Sequence, residues 1–161
     1  MKITDFSPRT AALEFYLSGQ NLTGVEVGCN VGAHAESLLT HCSITKLHLI
    51  DTFENVWTEG YCEGRLARWF HKIKIYKGFS NEVVKQFLDI SLDFVYLDAM
   101  HDYVSVREDL NLWWPKLKYQ GILALRNYNK GNEGLYRAAN EFLNGKTFKI
   151  EDYHNEIIIW K

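Results

Sequence analysis

Val25-Glu26-Val27-Gly28-Cys29-Asn30-Val31-Gly32, followed by Ala33-His34-Ala35-Glu36-Ser37-Leu38-Leu39, is the stretch from which the fold can be predicted. It joins an apolar, β-branched segment to two glycines and then to the start of a helix. Glycine lacks a Cβ atom, so the backbone can turn sharply there and a ligand can approach it closely. A strand that enters a helix through such a turn is typical of the ligand-binding end of an α/β domain.

The spacing of the glycines argues against two common phosphate sites. Aligned from Gly28, the dinucleotide fingerprint Gly-x-Gly-x-x-Gly would need glycines at Asn30 and Ala33. The Gly-Lys-Ser/Thr ending of a P-loop is missing as well. The remaining pattern, Glu-x-Gly-x-x-x-Gly after a strand, resembles the first motif of the class I S-adenosylmethionine (AdoMet) methyltransferases. A tight turn in an unrelated α/β protein would give the same pattern.

Strand and helix patterns alternate along the chain and predict a mostly parallel sheet with helices on both faces. The predicted strands are 25–27, 46–51, 74–76, 93–97 and 121–125, and the predicted helices are 11–17, 33–41, 58–71, 81–88, 103–114 and 134–143. Residues 148–152 and 156–160 flank a turn and predict an antiparallel hairpin. The resulting fold class is α/β, a Rossmann-like seven-stranded sheet that closes with a hairpin, as the resemblance to class I methyltransferases also implies.

Composition limits the other function classes. The 161 residues are expected to form a single domain, 1–161, because 47% are hydrophobic and only two are proline. A net charge of −2 disfavours binding to a long nucleic acid. No apolar run approaches the roughly 20 residues that span a bilayer, and the N-terminus has no secretory pattern, so we expect no membrane partner. Three dispersed cysteines fit a reducing, cytoplasmic location.

Asp51 is the candidate ribose-binding residue. It ends the second strand, 23 residues after Gly28, which is close to the spacing expected of an acid that accepts from ribose hydroxyls. The alternative is a helix cap without a ligand. In the methyltransferases, the loop that here contains Thr52 and Phe53 flanks the adenosine. The segment Gly78-Phe79-Ser80 follows the third strand. In the methyltransferases, residues at this place commonly lie at the edge of the adenine ring. The alternative is an ordinary turn in which Ser80 caps the next helix.

A second motif follows the fourth strand, in Asp98-Ala99-Met100-His101-Asp102-Tyr103. It resembles the Asp-Ala-x-His-x-Tyr motif of small-molecule and sugar O-methyltransferases, and the resemblance covers about residues 24–128. It implies AdoMet as cofactor and a small-molecule substrate. The implied cofactor-binding residues are Glu26, Gly28, Cys29, Asn30, Gly32, Asp51, Thr52, Phe53, Gly78, Phe79, Ser80, Asp98 and Ala99.

The end of the fifth strand departs from the family. In many relatives, the residue at position 98 binds magnesium together with an acidic or histidine pair at this strand end. Here that pair is Arg126-Asn127, and the guanidinium opposes a divalent cation, so we predict no metal. Arg126 either pairs with Asp98 or binds an anionic group of the substrate.

The predicted catalytic residues are Asp98, His101, Arg126 and Asn127. Histidine is a residue type that can accept a hydroxyl proton without a metal, so His101 is a candidate general base, with a role in positioning as the alternative. The sequence therefore predicts a metal-independent AdoMet methyltransferase that acts on oxygen, and a homodimer is an open expectation. An AdoMet-binding module without activity and a nicotinamide-dependent oxidoreductase remain as alternatives.

Overall fold

The computed structural model describes Leu17 and residues 21–146, 149–153 and 155–161. The predicted helix at 11–17 lies, apart from Leu17, outside these residues. The elements in chain order are β1 (Leu22–Val27), α1 (Ala33–His41), β2 (Ile44–Asp51), α2 (Val56–Leu66), β3 (Ile73–Lys77), α3 (Ser80–Val83), β4 (Leu92–Leu97), α4 (Tyr103–Trp113), β5 (Leu117–Arg126), α5 (Glu133–Leu143), β6 (Lys149–Tyr153) and β7 (Glu156–Trp160).

The described residues form one seven-stranded sheet in the order β3-β2-β1-β4-β5-β7-β6. The first five of these strands are parallel, whereas β7 runs antiparallel to β5 and to β6. This confirms the predicted α/β class and the closing hairpin. The strand order reverses between β1 and β4, and ligands of open α/β sheets bind beside that point, at the carboxyl ends of the strands.

Apolar layers cover both faces of the sheet. On one face, α1 and α2 contribute buried residues such as Leu38 and Leu66. On the other face, α3, α4 and α5 contribute residues such as Val83, Trp113 and Phe142. Strand segments buried on both sides are apolar, which is why β4 and residues 121–125 of β5 read as nearly continuous hydrophobic runs. No helix in the described part of the chain has the length and apolarity to cross a membrane.

The strand register sets up a row of polar residues across the sheet. Val27, the last residue of β1, pairs with Ile50 in β2 and with Leu97 in β4. Leu97 in turn pairs with Leu125 in β5. The residues that follow these four, Gly28, Asp51, Asp98 and Arg126, therefore lie side by side at one edge of the sheet.

Three predicted elements differ from the structure by four residues or more at one end. The helix predicted at 58–71 is α-helical only to Leu66 and continues as a 3₁₀ turn to Trp69. The strand predicted at 121–125 begins at Leu117, because Leu117 is buried and pairs with Leu92 across an irregular register. The helix predicted at 81–88 is α-helical only over Ser80–Val83 and continues as a 3₁₀ turn to Gln86. It ends there because Phe87 adopts an extended conformation and packs against Trp113.

Gly28→Ala should unfold or loosen the turn after β1. Gly28 has φ +88°, and a Cβ added there would lie 2.3 Å from the Asp98 carbonyl oxygen. We expect a loss of about 2–4 kcal/mol in the free energy of unfolding, from the backbone strain and the overlap together. Urea denaturation measures it.

Gly60→Ala is the matched control, since Gly60 lies within α2 and a Cβ there meets nothing within 4 Å. This variant should be as stable as the wild type or more stable by up to about 1 kcal/mol. Equal stability of the two variants would contradict the proposed close approach of β1 to β4.

Candidate active site

The turn after β1 lies against the ends of both neighbouring strands. The Gly28 N–H donates to the Ile50 carbonyl at 2.8 Å, and Gly28 itself abuts the backbone of Asp98. Gly32 has φ +72° and begins α1, where a Cβ would lie 3.0 Å from the Cys62 sulfur. The two glycines therefore allow the turn to lie close to the ends of β2 and β4.

Asp51 joins the first two strand–helix loops. Its Oδ2 accepts from the Asn30 N–H at 2.8 Å, and its Oδ1 accepts from the Phe53 N–H at 2.9 Å. The alternative of a helix cap is wrong, because α2 begins at Val56 and Asn55 caps it. Each carboxylate oxygen accepts more than one hydrogen bond, so both keep capacity for a ribose hydroxyl.

Several predicted cofactor residues can reach a ligand only through their backbones. The side chains of Glu26, Cys29 and Phe53 are buried beneath the loops. Asn30 is exposed, and Thr52 and Ala99 are half-buried at the strand ends. Whether these residues contact the cofactor stays a prediction.

The segment after β3 is arranged differently from the expected cap. Gly78 donates its N–H to the Asp51 carbonyl at 2.9 Å, and the Phe79 side chain is 62% exposed beside it. Phe79, not Ser80, is the N-cap of α3. The Ser80 hydroxyl instead donates to Asp109 Oδ1 at 2.5 Å and accepts from the Trp113 indole N–H at 2.7 Å. The Ser80 hydroxyl thus serves the packing of α3 on α4.

Asp98, Arg126, Asn127 and His101 form one hydrogen-bonded cluster. Asp98 Oδ2 accepts from Arg126 Nη1 at 2.5 Å, so the ion pair is the arrangement that the structure has. Asp98 Oδ1 accepts from Asn127 Nδ2 at 3.5 Å, and the same nitrogen lies 3.1 Å from His101 Nε2. The four predicted catalytic residues therefore meet at the carboxyl ends of β4 and β5.

The cluster does not fit a divalent cation. The Arg126 guanidinium occupies the Asp98 oxygen that a metal would need, and the Asn127 amide presents its nitrogen to Asp98. Among the described residues, no three His, Cys, Asp or Glu side chains lie close enough together to hold a metal ion.

A buried polar group lies beneath the cluster. Glu26 Oε1 lies 3.2 Å from His34 Nδ1, and the His34 ring stacks on Tyr96 with ring centres 3.9 Å apart. The Tyr96 hydroxyl donates to Glu156 Oε1 at 2.6 Å. Burial raises the pKa values of Glu26 and Glu156, against the opposing effect of these partners. Within the described part of the chain, Glu26 Oε2, His34 Nε2 and Glu156 Oε2 are buried and have no hydrogen-bond partner.

Sequence reasoning did not identify His34, Tyr96 or Glu156 as parts of one group. The signal available for Glu156 is a single acid at the start of the apolar run Glu156-Ile157-Ile158-Ile159-Trp160. A charge in such a run is unusual unless it is partnered. Sequence reasoning also gave no site role to Trp57, whose side chain is 72% exposed at the start of α2.

Residues 25–128 match a family model described as a methyltransferase domain. A sequence search against curated proteins finds no match. Among solved structures, the fold is similar to a Staphylococcus aureus protein described as a caffeoyl-CoA O-methyltransferase, with a TM-score of 0.77, 16% identity and coverage of 99% of this chain and 86% of that one.

Two further structures share the fold. A Streptococcus mutans protein described as a methyltransferase, solved with S-adenosylhomocysteine (SAH), has a TM-score of 0.74, 12% identity and coverage of 98% and 99%. A Clostridium thermocellum protein described as an rRNA methylase has a TM-score of 0.74, 13% identity and coverage of 98% and 99%. Since acceptors as different as these occur on one fold, the fold alone does not identify the acceptor.

Asp109→Asn should remove a pH dependence of stability. Burial raises the pKa of the Asp109 carboxyl from about 3.8 to about 6. The folded chain therefore binds a proton that the unfolded chain has released, and stability falls as the pH rises from about 4 to about 6. By the usual conversion, the loss is about 3 kcal/mol for a shift of this size.

Asparagine can still accept from Ser80 but carries no charge, so the variant should lack this fall and be more stable than the wild type at pH 7. Thermal unfolding between pH 4 and pH 7 measures it. A wild-type stability that rises across this interval, with the variant unchanged, would contradict the assignment.

Proposed function

The chain belongs to the methyltransferase-domain family, and we propose that it methylates an oxygen atom of a small molecule, sugars included, without a metal ion. Its cofactor is S-adenosylmethionine, and it is an AdoMet-dependent methyltransferase. The observation that carries the proposal is the row of polar residues at the strand ends. Asp51 stands on one side of the β1 turn, and the Asp98–Arg126 cluster stands on the other.

The residues of the site suit this cofactor. Glycine at position 28 lets the turn lie directly against the end of β4, because a Cβ there would overlap the backbone of Asp98. Asp51 would hold the ribose hydroxyls, and its position is set by the N–H groups of Asn30 and Phe53. The exposed Phe79 side chain lies beside Gly78, where the adenine is expected.

Methyl transfer from AdoMet depends more on alignment of the acceptor with the methyl group than on activation of the leaving group. The bound cofactor supplies a methyl group on a positively charged sulfur, which leaves as a neutral thioether. The chain's residues must hold the acceptor oxygen in line with that bond and exclude water, and such alignment supplies roughly 7–11 kcal/mol of a barrier. Asp98, Arg126, Asn127 and His101 form the rigid rim against which an acceptor would be placed.

We expect the methyl acceptor to be a small molecule and not a long nucleic acid. No block of basic residues supplies the electrostatic attraction that a long nucleic acid needs. We place the enzyme in the cytoplasm, since its three cysteines are dispersed along the sequence without a C-x-x-C pattern. A homodimer and a single domain over 1–161 stay predictions. A nicotinamide-dependent oxidoreductase is disfavoured, because Asn30 stands where the dinucleotide fingerprint needs its second glycine.

Methyl transfer can be tested directly with radiolabelled AdoMet. The protein is incubated at single-turnover concentration with a fractionated metabolite pool, and label should move from AdoMet into a small, organic-extractable product. Heat-denatured protein is the control. Binding of AdoMet without any transfer would support the alternative of an inactive binding module.

Replacing Asp51 with alanine should weaken AdoMet binding by about ten- to a hundredfold, since charge-assisted hydrogen bonds to the ribose are lost. Isothermal calorimetry measures it, and circular dichroism controls for folding. Asn55→Ala, which removes only the cap of α2, is the matched control and should bind AdoMet as the wild type does. Unchanged affinity of the Asp51 variant would remove this residue from the cofactor site.

Chelation should leave turnover unaltered. The Arg126–Asp98 ion pair neutralises the carboxylate that a magnesium ion would bind. Dialysis against EDTA, followed by an assay with and without added magnesium, measures the effect. Activity that is lost on chelation and restored by magnesium would contradict the metal-independent site.

A further inference from the structure

The hydrogen bonds around His101 determine which of its ring nitrogens carries the proton. Asn127 Nδ2 lies 3.5 Å from Asp98 Oδ1 and 3.1 Å from His101 Nε2. An amide nitrogen only donates, and it has two hydrogens, one for each of these partners. Nε2 must then be the acceptor, so the single proton of the neutral imidazole is on Nδ1.

The opposite amide orientation is disfavoured by charge. It would bring the Asn127 carbonyl oxygen against the Asp98 carboxylate, two acceptors without a proton between them. The backbone of Asn127 is also held by its surroundings. Its backbone carbonyl accepts from Asn129 Nδ2 at 3.2 Å and from Asn132 Nδ2 at 2.9 Å, and its φ is +60°. These bonds fix the backbone from which the Asn127 side chain extends toward Asp98 and His101.

The lone pair that a general base needs is therefore already used. Nε2 accepts from Asn127, and Nδ1 carries a proton. If the proton were on Nε2 instead of Nδ1, the Nε2–H group would point at the N–H group of Asn127, and two donors would face each other. The Asp98 carboxylate is likewise engaged, since one oxygen pairs with the Arg126 guanidinium and the other accepts from Asn127. The His101 side chain is 38% exposed, and Nδ1 has no partner among the described residues, so its proton is free for a ligand.

We propose that His101 donates a hydrogen bond from Nδ1 to the acceptor instead of removing its proton, and that the acceptor oxygen is ionised before transfer, as in a carboxylate or an acidic phenol. This proposal rests on the proposed methylation of oxygen and restricts the acceptor to acidic compounds. Among sugars, the acceptors would then be sugar acids. The oxygen anion attacks the methyl carbon, the carbon–sulfur bond breaks with its electron pair moving to sulfur, and an ester or ether forms. No proton is released, so no base is required.

Nuclear magnetic resonance of the ring nitrogens tests the position of the proton without cofactor or substrate. In uniformly ¹⁵N-labelled protein, the His101 signals are assigned by their absence in His101→Gln. We expect Nδ1 to give the shift of a protonated nitrogen and Nε2 that of an unprotonated one. The reverse pattern would overturn the proposal.

Two asparagine variants sharpen this test. Asn127→Asp replaces the donor with an acceptor of the same shape and should move the proton to Nε2. Asn111→Asp makes the same change on the exposed side of α4, where the amide donates to the Arg107 carbonyl, and should leave the His101 signals unchanged. A proton that stays on Nδ1 in Asn127→Asp would contradict control by Asn127.

Two His101 variants separate donation from base catalysis. Glutamine keeps an N–H donor but cannot take a proton at neutral pH, and leucine does neither. Donation predicts that His101→Gln stays within about tenfold of wild-type kcat while His101→Leu falls by about ten- to a hundredfold. Base catalysis predicts an equal loss of about 10²–10⁴-fold in both, and that result would overturn the proposal.

A panel of acceptors tests the substrate class. Small carboxylic acids, sugar acids and acidic phenols are assayed with labelled AdoMet beside neutral sugars and alcohols. Transfer confined to the acidic members is expected, and efficient transfer to a neutral hydroxyl would overturn the acceptor assignment. Transfer to no oxygen acceptor, with the proton found on Nδ1, would contradict the proposed function and not the state of His101.

Discussion

The Asp51 carboxylate is the group on which the shape of the site depends. It holds the N–H groups of Asn30 and Phe53, which lie in two different loops. Both residues have left-handed backbones, with φ +47° and +48°. Such conformations cost free energy in residues other than glycine and persist where contacts hold them. One carboxylate therefore fixes both sides of the cleft before any ligand enters, which reduces the cost of ordering the loops on binding.

Acidic side chains are concentrated around and beneath the strand ends. Asp51 and Asp98 stand at the strand ends, and Glu26 and Glu156 are buried below them. Arg126 offsets the charge of Asp98 by its bond to that carboxylate. A buried acid with an unpartnered oxygen is costly unless a cation or proton compensates it. Burial raises the pKa values of Glu26 and Glu156, so a proton compensates these two acids more readily than it would at the surface.

The elements and residues predicted from sequence are those whose signals are local. Gly28 ends an apolar run, and Asp51 and Asp98 each end a strand, so their shared edge follows from strand order alone. The contacts that sequence could not give join distant positions. Ser80 reads as a helix cap until Asp109, 29 residues away, is seen to accept from its hydroxyl.

His101 and Tyr96 illustrate the same limit in the chemistry of the site. The sequence gives a histidine three residues after Asp98, which is enough to predict a base. Its proton, however, is directed by Asn127, which is 26 residues further along the chain. Tyr96 reads as one more apolar strand residue, and its partner Glu156 is separated from it by 60 residues. Proton positions and buried pairs depend on tertiary contacts that no local pattern encodes.

A crystal structure of the protein with SAH tests the central claim most directly. The account predicts the ribose hydroxyls within hydrogen-bonding distance of the Asp51 carboxylate and the thioether sulfur facing the Asp98–Arg126 pair. A nucleoside bound elsewhere, or one that leaves Asp51 without a ligand contact, would contradict it.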